Sequence, residues 1–580
     1  MSETIVDRIA GHARELPAKE AVVFARSGTG GPTTEQLTYG ELDRRARSCA
    51  QYLRGRCLEG DRILLLYPSG LDFVTALIGC LYAGLVAVPA PVPDSSGRSD
   101  TRTGSIVHDA GAALVLTNTR CAPEIAEFLE AEGLAGLPVV ATDTLATDGL
   151  EAGWTPPALA ADTPAVLQYT SGSTSSPKGV TVTHGSLVHN LRLIQRVLGA
   201  GSHTRTGSWL PHYHDMGLIG TVLAPLFLGA MVVLLSPTDF MRRPRLWLEL
   251  IQQYRLDFTT APNFAYDLVT RTVTDEQLAE LDLSSLRIAL NGAEPVNAAT
   301  LQRFTERFRP AGLGPDVLKP CYGMAESTLL ITGTPPHRGP VTTRFDPAAL
   351  ETHLLLPDNA GPMLVSSGPA AAGLEILVAD PDNHEALPDG RIGEIWVRGE
   401  SVTAGYWRRP EESRRLFHAA TADGRTGYLR TGDLGAVHGG ELYVTGRLKD
   451  MLVVRGRNLY PHDIERLVSE LHPAFQGLQG AVCSVPGERE EIVVLQEIRP
   501  RGEQPDLPAL SRRIRGELAE RIGVRVSNVV FLRPGQVRRT TSGKVRRSVT
   551  CDLFINGKLK TVYEDLDPEL VRRRRSEAGA

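Results

Sequence analysis

The chain has little from which a covalently or metal-clipped scaffold could be made. Its seven cysteines (Cys49, Cys57, Cys80, Cys121, Cys321, Cys483 and Cys551) are odd in number, scattered and never spaced as CxxC. That pattern argues against a disulfide framework and against a structural zinc site, and it fits a reducing, cytoplasmic setting. A surplus of positive charge is also missing. With 62 Lys and Arg against 67 Asp and Glu, the formal net charge is −5, which gives no general nucleic-acid footprint and makes nucleic acid an unexpected partner. The opening residues, "MSETIVDRIAGHARELPAKEAVVF", lack the basic start and apolar core of an export signal and have the rhythm of an amphipathic helix instead. Internal repeats are absent. Long apolar runs are scarce, the exception being "LIGTVLAPLFLGAMVVLL", Leu218 to Leu235, whose length alone would permit a bilayer span. Gly220, Pro225 and Gly229 divide it, and "AMVVLLS" reads as a strand following a helix, so a buried helix and strand are expected rather than a membrane span.

What is present is the material of a large enzyme. A chain of 580 residues exceeds one ordinary core, so two or more domains are expected. From about Leu37 to Ser285, amphipathic helical stretches alternate with short apolar strands such as "RILLLY", "LVAVPA", "ALVLT" and "MVVLLS", the rhythm of a parallel α/β sheet. After about Gly361 the texture changes to strands and Gly-rich turns ("GLEILVADPDN", "GEIWVRGE", "ELYVTGR"), which indicates a small β subdomain. Beyond "GRLKD", Gly446 to Asp450, a fresh set of helices and strands begins and supplies a separate C-terminal domain. The terminal "VRRRR" reads most simply as a solvated basic tail.

The most polar stretch is "YTSGSTSSPKGV", Tyr169 to Val180, which follows the apolar strand "PAVLQY". Glycines allow close backbone approach, hydroxyls donate hydrogen bonds, and Lys178 supplies a point charge suited to phosphate oxygens. It is not a Walker loop, because Gly179 and Val180 follow Lys178 where a magnesium-binding Ser or Thr would stand. Taken alone, it also reads as a Ser/Gly-rich surface linker. Further groups suited to a phosphate site lie downstream. "NGAEPV" begins at Asn291, and "CYGMAEST" offers Tyr322 to stack on a purine and Glu326 to bind magnesium. "YLRTGDLG" places Asp433 on a turn suited to ribose hydroxyls, Arg447 follows in "TGRLKD", and "RRTTSGKVRRS" offers Lys544. Each of these taken singly reads equally as a turn or a solvated charge. In "HYHD", His212, His214 and Asp215 bring metal-ligand chemistry, without a further ligand pattern downstream.

Together, in this order, the motifs resemble those of the adenylate-forming enzymes, a family that includes acyl-CoA synthetases, luciferases and peptide-synthetase adenylation domains. The resemblance runs from "LTYGELDRRA" to "SGKVRR". "SWLPHYHDMGLIG" and "GRNLYPHDIE" look like the fatty acyl-AMP ligases within it, as does the stretch Thr334 to Met363 with its "FDPAALE" core, which resembles the insertion that marks these ligases. The resemblance implies a large N-terminal domain (1–446) of parallel α/β sheets with a small β-barrel-like subdomain, a hinge at 447–450 about Lys449, and a small mobile α+β C-terminal domain (451–580). It implies ATP and magnesium as cofactors, a fatty acid as substrate and the phosphopantetheine thiol of an acyl carrier protein as acceptor. By the same resemblance, Thr170, Ser171, Gly172, Ser173, Thr174 and Lys178 grip the outgoing pyrophosphate. Gly292, Ala293, Glu294, Tyr322, Gly323 and Met324 flank adenine, while Asp433 and Arg447 serve the ribose. Glu326 and Thr170 are implied for magnesium, and Lys544, Glu326 and His214 are implied as catalytic. Transfer to CoA, activation of an amino or aryl acid, and nucleotide binding without turnover remain open alternatives.

Overall fold

Apolar runs of four to seven residues become strands because each is too short for a helix and is bounded by turn residues. The computed structural model describes the chain except residues 1–2, 29–30, 94–100, 146–148, 171–176, 455–456, 486–490, 500–504, 522–525, 540–544 and 578–580. It forms two compact units. The first comprises 1–431 with 435–444, and the second comprises 432–434 with 445–580.

Two large sheets organise the first unit. One has six strands in the spatial order Val139–Ala141, Leu114–Thr117, Arg62–Leu66, Val86–Ala90, Pro164–Thr170 and Lys178–Thr183. All neighbours are parallel except the last pair, which is an antiparallel hairpin. The other has eight strands, with a parallel centre running Leu318–Gly323, Ile288–Asn291, Phe258–Ala261, Arg205–Ser208, Met231–Leu235 and Glu20–Arg26, and an antiparallel strand at each edge. The helix Leu71–Ala83 touches strands of both sheets and is buried around almost its whole circumference, which is why its sequence is apolar on every face. The stretch Leu218 to Leu235 is a π-helical turn (Met216–Leu223), a short α-helix (Ala224–Leu228) and the strand Met231–Leu235. Among the described residues, no helix is long and apolar enough to cross a membrane.

The strands Glu375–Ala379, Gly393–Arg398, Leu429–His438 and Glu441–Arg447 form a separate four-stranded sheet. Thr334 to Met363 packs on the first unit. Its strand Thr342–Arg344 pairs with Met363–Val365, Asp346 caps the helix Pro347–Glu351, and Phe345 is fully buried edge-on against Tyr443 at 5.2 Å. Arg338 forms an ion pair with Glu441 at 2.6 Å, and Lys319 donates to the carbonyls of Pro336 and Arg338 at 2.9 and 2.6 Å.

The second unit has a four-stranded mixed sheet, Gly480–Val485, Glu491–Glu497, Asn528–Leu532 and Thr561–Asp565, with apolar clusters on both faces. Within it Cys483 and Cys551 are joined as a disulfide, their Cα atoms 6.4 Å apart. The scattered cysteine pattern argues against such bonds. The pair forms because the helix Arg547–Ile555 packs over the strand Gly480–Val485, a proximity that linear spacing does not show.

Candidate functional site

The two ends of the polar stretch Tyr169 to Val180 lie in paired strands, Pro164–Thr170 running antiparallel to Lys178–Thr183. Val180 and Val182 are buried on alternate positions, so the backbone after Pro177 joins the sheet, and Thr170 stands opposite Lys178. Ser171, Gly172, Ser173, Thr174 and Lys544 lie outside the described residues. The strand carrying Lys178 is covered by a segment that sequence reasoning did not single out. Val180 bridges to Tyr406, Thr181 donates its N–H to Gly405, and Trp407 donates its N–H to the Gly179 carbonyl at 2.7 Å. This fixes Lys178 beside Tyr406 and Glu412. The ammonium pairs with the Glu412 carboxylate and lies 5.1 Å from the centre of the Tyr406 ring. Both members of the ion pair are largely buried, with side chains 17% and 23% exposed.

Tyr406 also reaches the predicted magnesium ligand. Its hydroxyl donates to Glu326 Oε1 at 2.8 Å, and Thr403 donates its N–H and hydroxyl to the Glu326 carbonyl at 3.0 and 3.1 Å. Glu326 is buried on the short turn Ala325–Ser327. The turn is tight because Gly323 lets the chain fold back, and a Cβ there would stand 1.9 Å from the Leu329 carbonyl oxygen. Upstream, the Tyr169 phenol donates to Asp109 Oδ2 at 2.7 Å, and Arg409 approaches Asp109 Oδ1 at 3.4 Å. Burial, and then the bond to Asp109, keep that phenol protonated far above its usual range.

The predicted adenine residues come together at a sheet edge. The strands ending at Asn291 and Gly323 are parallel neighbours, with Asn291 opposite Pro320, so Gly292 to Glu294 and Tyr322 to Met324 emerge at the same carboxyl end, the usual ligand side of α/β sheets. Ala293 holds φ at +67°, and Glu294 Oε1 accepts the Phe264 N–H at 2.6 Å, which ties this turn to the helix Asn263–Thr272. The Tyr322 hydroxyl points to Met324 Sδ at 4.0 Å. Burial pushes the Cys321 thiol up to about 12, which favours its protonated form.

Gln168, in the hairpin's first strand, donates to the Tyr213 carbonyl at 2.9 Å and so anchors the "HYHD" turn. His214 Nδ1 lies 2.6 Å from Asp215 Oδ1, and that oxygen also caps the next helical turn through the Met216 N–H. His212 packs its ring on Phe73, centroids 3.9 Å apart, and burial pulls its pKa down to about 3. These three do not converge on a metal position. Among the described residues, the sole group of three candidate ligands is Glu491, Asp567 and Glu569 in the second unit. Also in the second unit, Arg447 Nε donates to Asp433 Oδ1 at 2.8 Å. Tyr406, Glu412, Thr403 and Asp109 are the residues that sequence reasoning missed, and the turn "AGYWRRPEES" carries no local signal that would have found them.

Residues 9–407 match the family model of the AMP-binding enzymes, and residues 449–564 match the AMP domain of the Disco-interacting protein 2-like type. The chain is 38% identical over 570 residues to the medium-chain fatty acid:acyl-carrier-protein ligase JamA of Moorena producens, covering 96% of both chains. It is 36% identical over 579 residues to 4-hydroxyphenylalkanoate adenylyltransferase of Mycobacterium tuberculosis, covering 96% of this chain and 92% of that one. Among solved structures, the fatty acyl-adenylate ligase from L. pneumophila in complex with acyl adenylate and pyrophosphate matches with a TM-score of 0.75 and 34% identity, over 97% of this chain and 98% of that one.

Proposed function

The chain belongs to the AMP-binding enzyme family, and from that membership we propose that it is a fatty acyl-AMP ligase, which activates a fatty acid with ATP and passes the acyl group to the phosphopantetheine thiol of an acyl carrier protein. The observation that carries the reading is the Lys178–Tyr406–Glu326 chain, where one phenol holds a cation and a carboxylate from two distant elements side by side.

The chemistry needs that pairing. A fatty carboxylate oxygen must bond to the α-phosphorus of ATP while the bond to the β-phosphate breaks, and both reactants are anions. Lys178 neutralises the departing pyrophosphate together with Thr170, Ser171, Gly172, Ser173 and Thr174. Glu326 and Thr170 would hold magnesium. A single buried carboxylate, one oxygen of which accepts from Tyr406, fits that ion, which in phosphate sites takes one or two carboxylates and completes its shell with phosphate and water. When bound, the ion supplies charge neutralisation on the phosphate oxygens. Gly292 to Glu294 and Tyr322 to Met324 flank adenine, Asp433 with Arg447 holds the ribose, His214 orients the carboxylate end, and Lys544 bridges carboxylate and α-phosphate. The mixed anhydride then needs no enzyme thiolate, because the carrier thiol attacks its carbonyl and AMP leaves. The two half-reactions are separated by reorientation of the C-terminal domain about 447–450.

Pyrophosphate release in the presence of fatty, amino and aryl acids tests the reading. Release with free fatty acids is expected, with aryl-substituted chains as the informative competitors, and release with amino acids alone would overturn it.

A further inference from the structure

The Lys178–Glu412 ion pair is a feature that the proposed catalytic roles leave unused. Glu412 lies in the first turn of the helix Pro410–Phe417, where an acidic residue commonly serves the helix dipole. Glu411 already stands beside it and is used differently, pairing with Arg414 on the same helix at 3.0 Å. Glu412 instead crosses to a lysine 234 residues away in sequence. The segment that carries it is pinned on both sides. Gly405 and Trp407 are bonded to the Lys178 strand, Tyr406 joins Lys178 to Glu326, and the Tyr406 N–H donates to Ser413 Oγ at 2.9 Å, which ties the segment to the helix. The start of the helix that carries Glu412 is thus held beside the Lys178 strand by several independent bonds.

Resting on the ligase reading, we propose that Glu412 is the resting counter-ion of Lys178: the polyphosphate of ATP takes the lysine from it, and Glu412 takes the lysine back as pyrophosphate leaves. The physical reason is competition. One ammonium cannot fully serve a carboxylate and a polyphosphate at once, and a carboxylate fixed within a few ångströms of the phosphate subsite repels the anion bound there. The cost on binding is repaid on release, because product escape requires that the site not hold pyrophosphate too well. Glu412 is therefore a positioning residue that acts through Lys178 and touches no reacting atom.

Calorimetric titration with magnesium pyrophosphate at fixed ionic strength reads this directly. In Glu412→Gln the dissociation constant should fall about three- to tenfold, the scale of removing one like charge near a polyanion. Glu412→Ala, which removes the charge without adding an amide, should give the same fall. In a Lys178→Ala background, Glu412→Gln should give a clearly smaller fall, since the competition needs the lysine and only direct repulsion remains. Unchanged or weaker pyrophosphate binding in both Glu412 variants overturns the proposal, and so does an equal or larger gain in the absence of Lys178. Pyrophosphate is the leaving group whichever acid is activated, so failure to find acyl-AMP from fatty acids would overturn the substrate assignment alone and leave the titration interpretable.

Discussion

Lys178→Ala should lower ATP–pyrophosphate exchange by about 10²-fold or more, the scale of removing one preorganised charge contact, with thermal stability little changed. An equal loss of folded protein would instead make Lys178 structural. Lys178 and Glu326 stood out in the sequence as candidates because an isolated lysine in a hydroxyl-rich stretch and an acid after a Tyr-Gly turn are marked by their type, and the structure brings the two to one phenol. Tyr406 and Glu412 did not, since each acquires its role only from a partner 80 or 234 residues away. The same holds for His212, whose burial shows only in the fold. Burial pulls its pKa from the usual histidine range near 6.5 down to about 3, and likewise lowers that of His184 to about 4. Both groups are neutral in the folded state, so their contribution to stability is complete above pH 6.5. It is lost as the pH falls toward the folded values, because the unfolded chain binds the proton first. Between pH 6.5 and 5.5 each should cost about 1 kcal/mol, read as a falling urea midpoint. A His212→Gln variant should flatten that slope, and an unchanged slope would contradict the burial argument.

At the scale of elements, the alternation of helix and strand was legible because apolar periodicity is imposed locally by burial, as in Arg62–Leu66 and Met231–Leu235. What periodicity could not reveal was pairing. The hairpin partner of Pro164–Thr170 begins inside a stretch whose composition reads as loop, and the π-helical turn at Met216–Leu223 looks like any apolar helix. The turn carrying Glu326 rests on Gly323, so Gly323→Ala should destabilise the first unit by about 2–4 kcal/mol through overlap with the Leu329 carbonyl, seen as a lower melting temperature. A melting temperature equal to wild type would show that the turn can shift. The insertion Thr334 to Met363 is packed on the first unit through Phe345 and Arg338. Replacing it with a short Gly/Ser linker should raise acyl-CoA formation while leaving ATP–pyrophosphate exchange largely intact, if its role is to disfavour the geometry that free CoA requires. Loss of exchange, or no gain in acyl-CoA, would assign it to stability alone.

For the whole molecule, motif order was the most informative feature, because it names one chemistry without fixing any contact. The assignment of Gly432–Leu434 to the second unit and the Cys483–Cys551 bond were not legible, since both arise from tertiary neighbours. The proposed cycle divides labour between the units. Lys544→Ala should therefore depress acyl-AMP formation by about 10²-fold while acyl transfer from supplied acyl-AMP survives better. Equal losses in both half-reactions would make Lys544 structural. The account's central claim is that a fatty acid becomes acyl-AMP here and that the acyl group then goes to a carrier-protein thiol. Mass spectrometry of the products from ATP and a panel of fatty acids, with either CoA or phosphopantetheine-bearing carrier protein present, tests it most directly. Acyl-AMP that persists with CoA and becomes an acyl thioester on the carrier protein is the predicted result, and acyl-CoA formed as fast as acyl-AMP would contradict it.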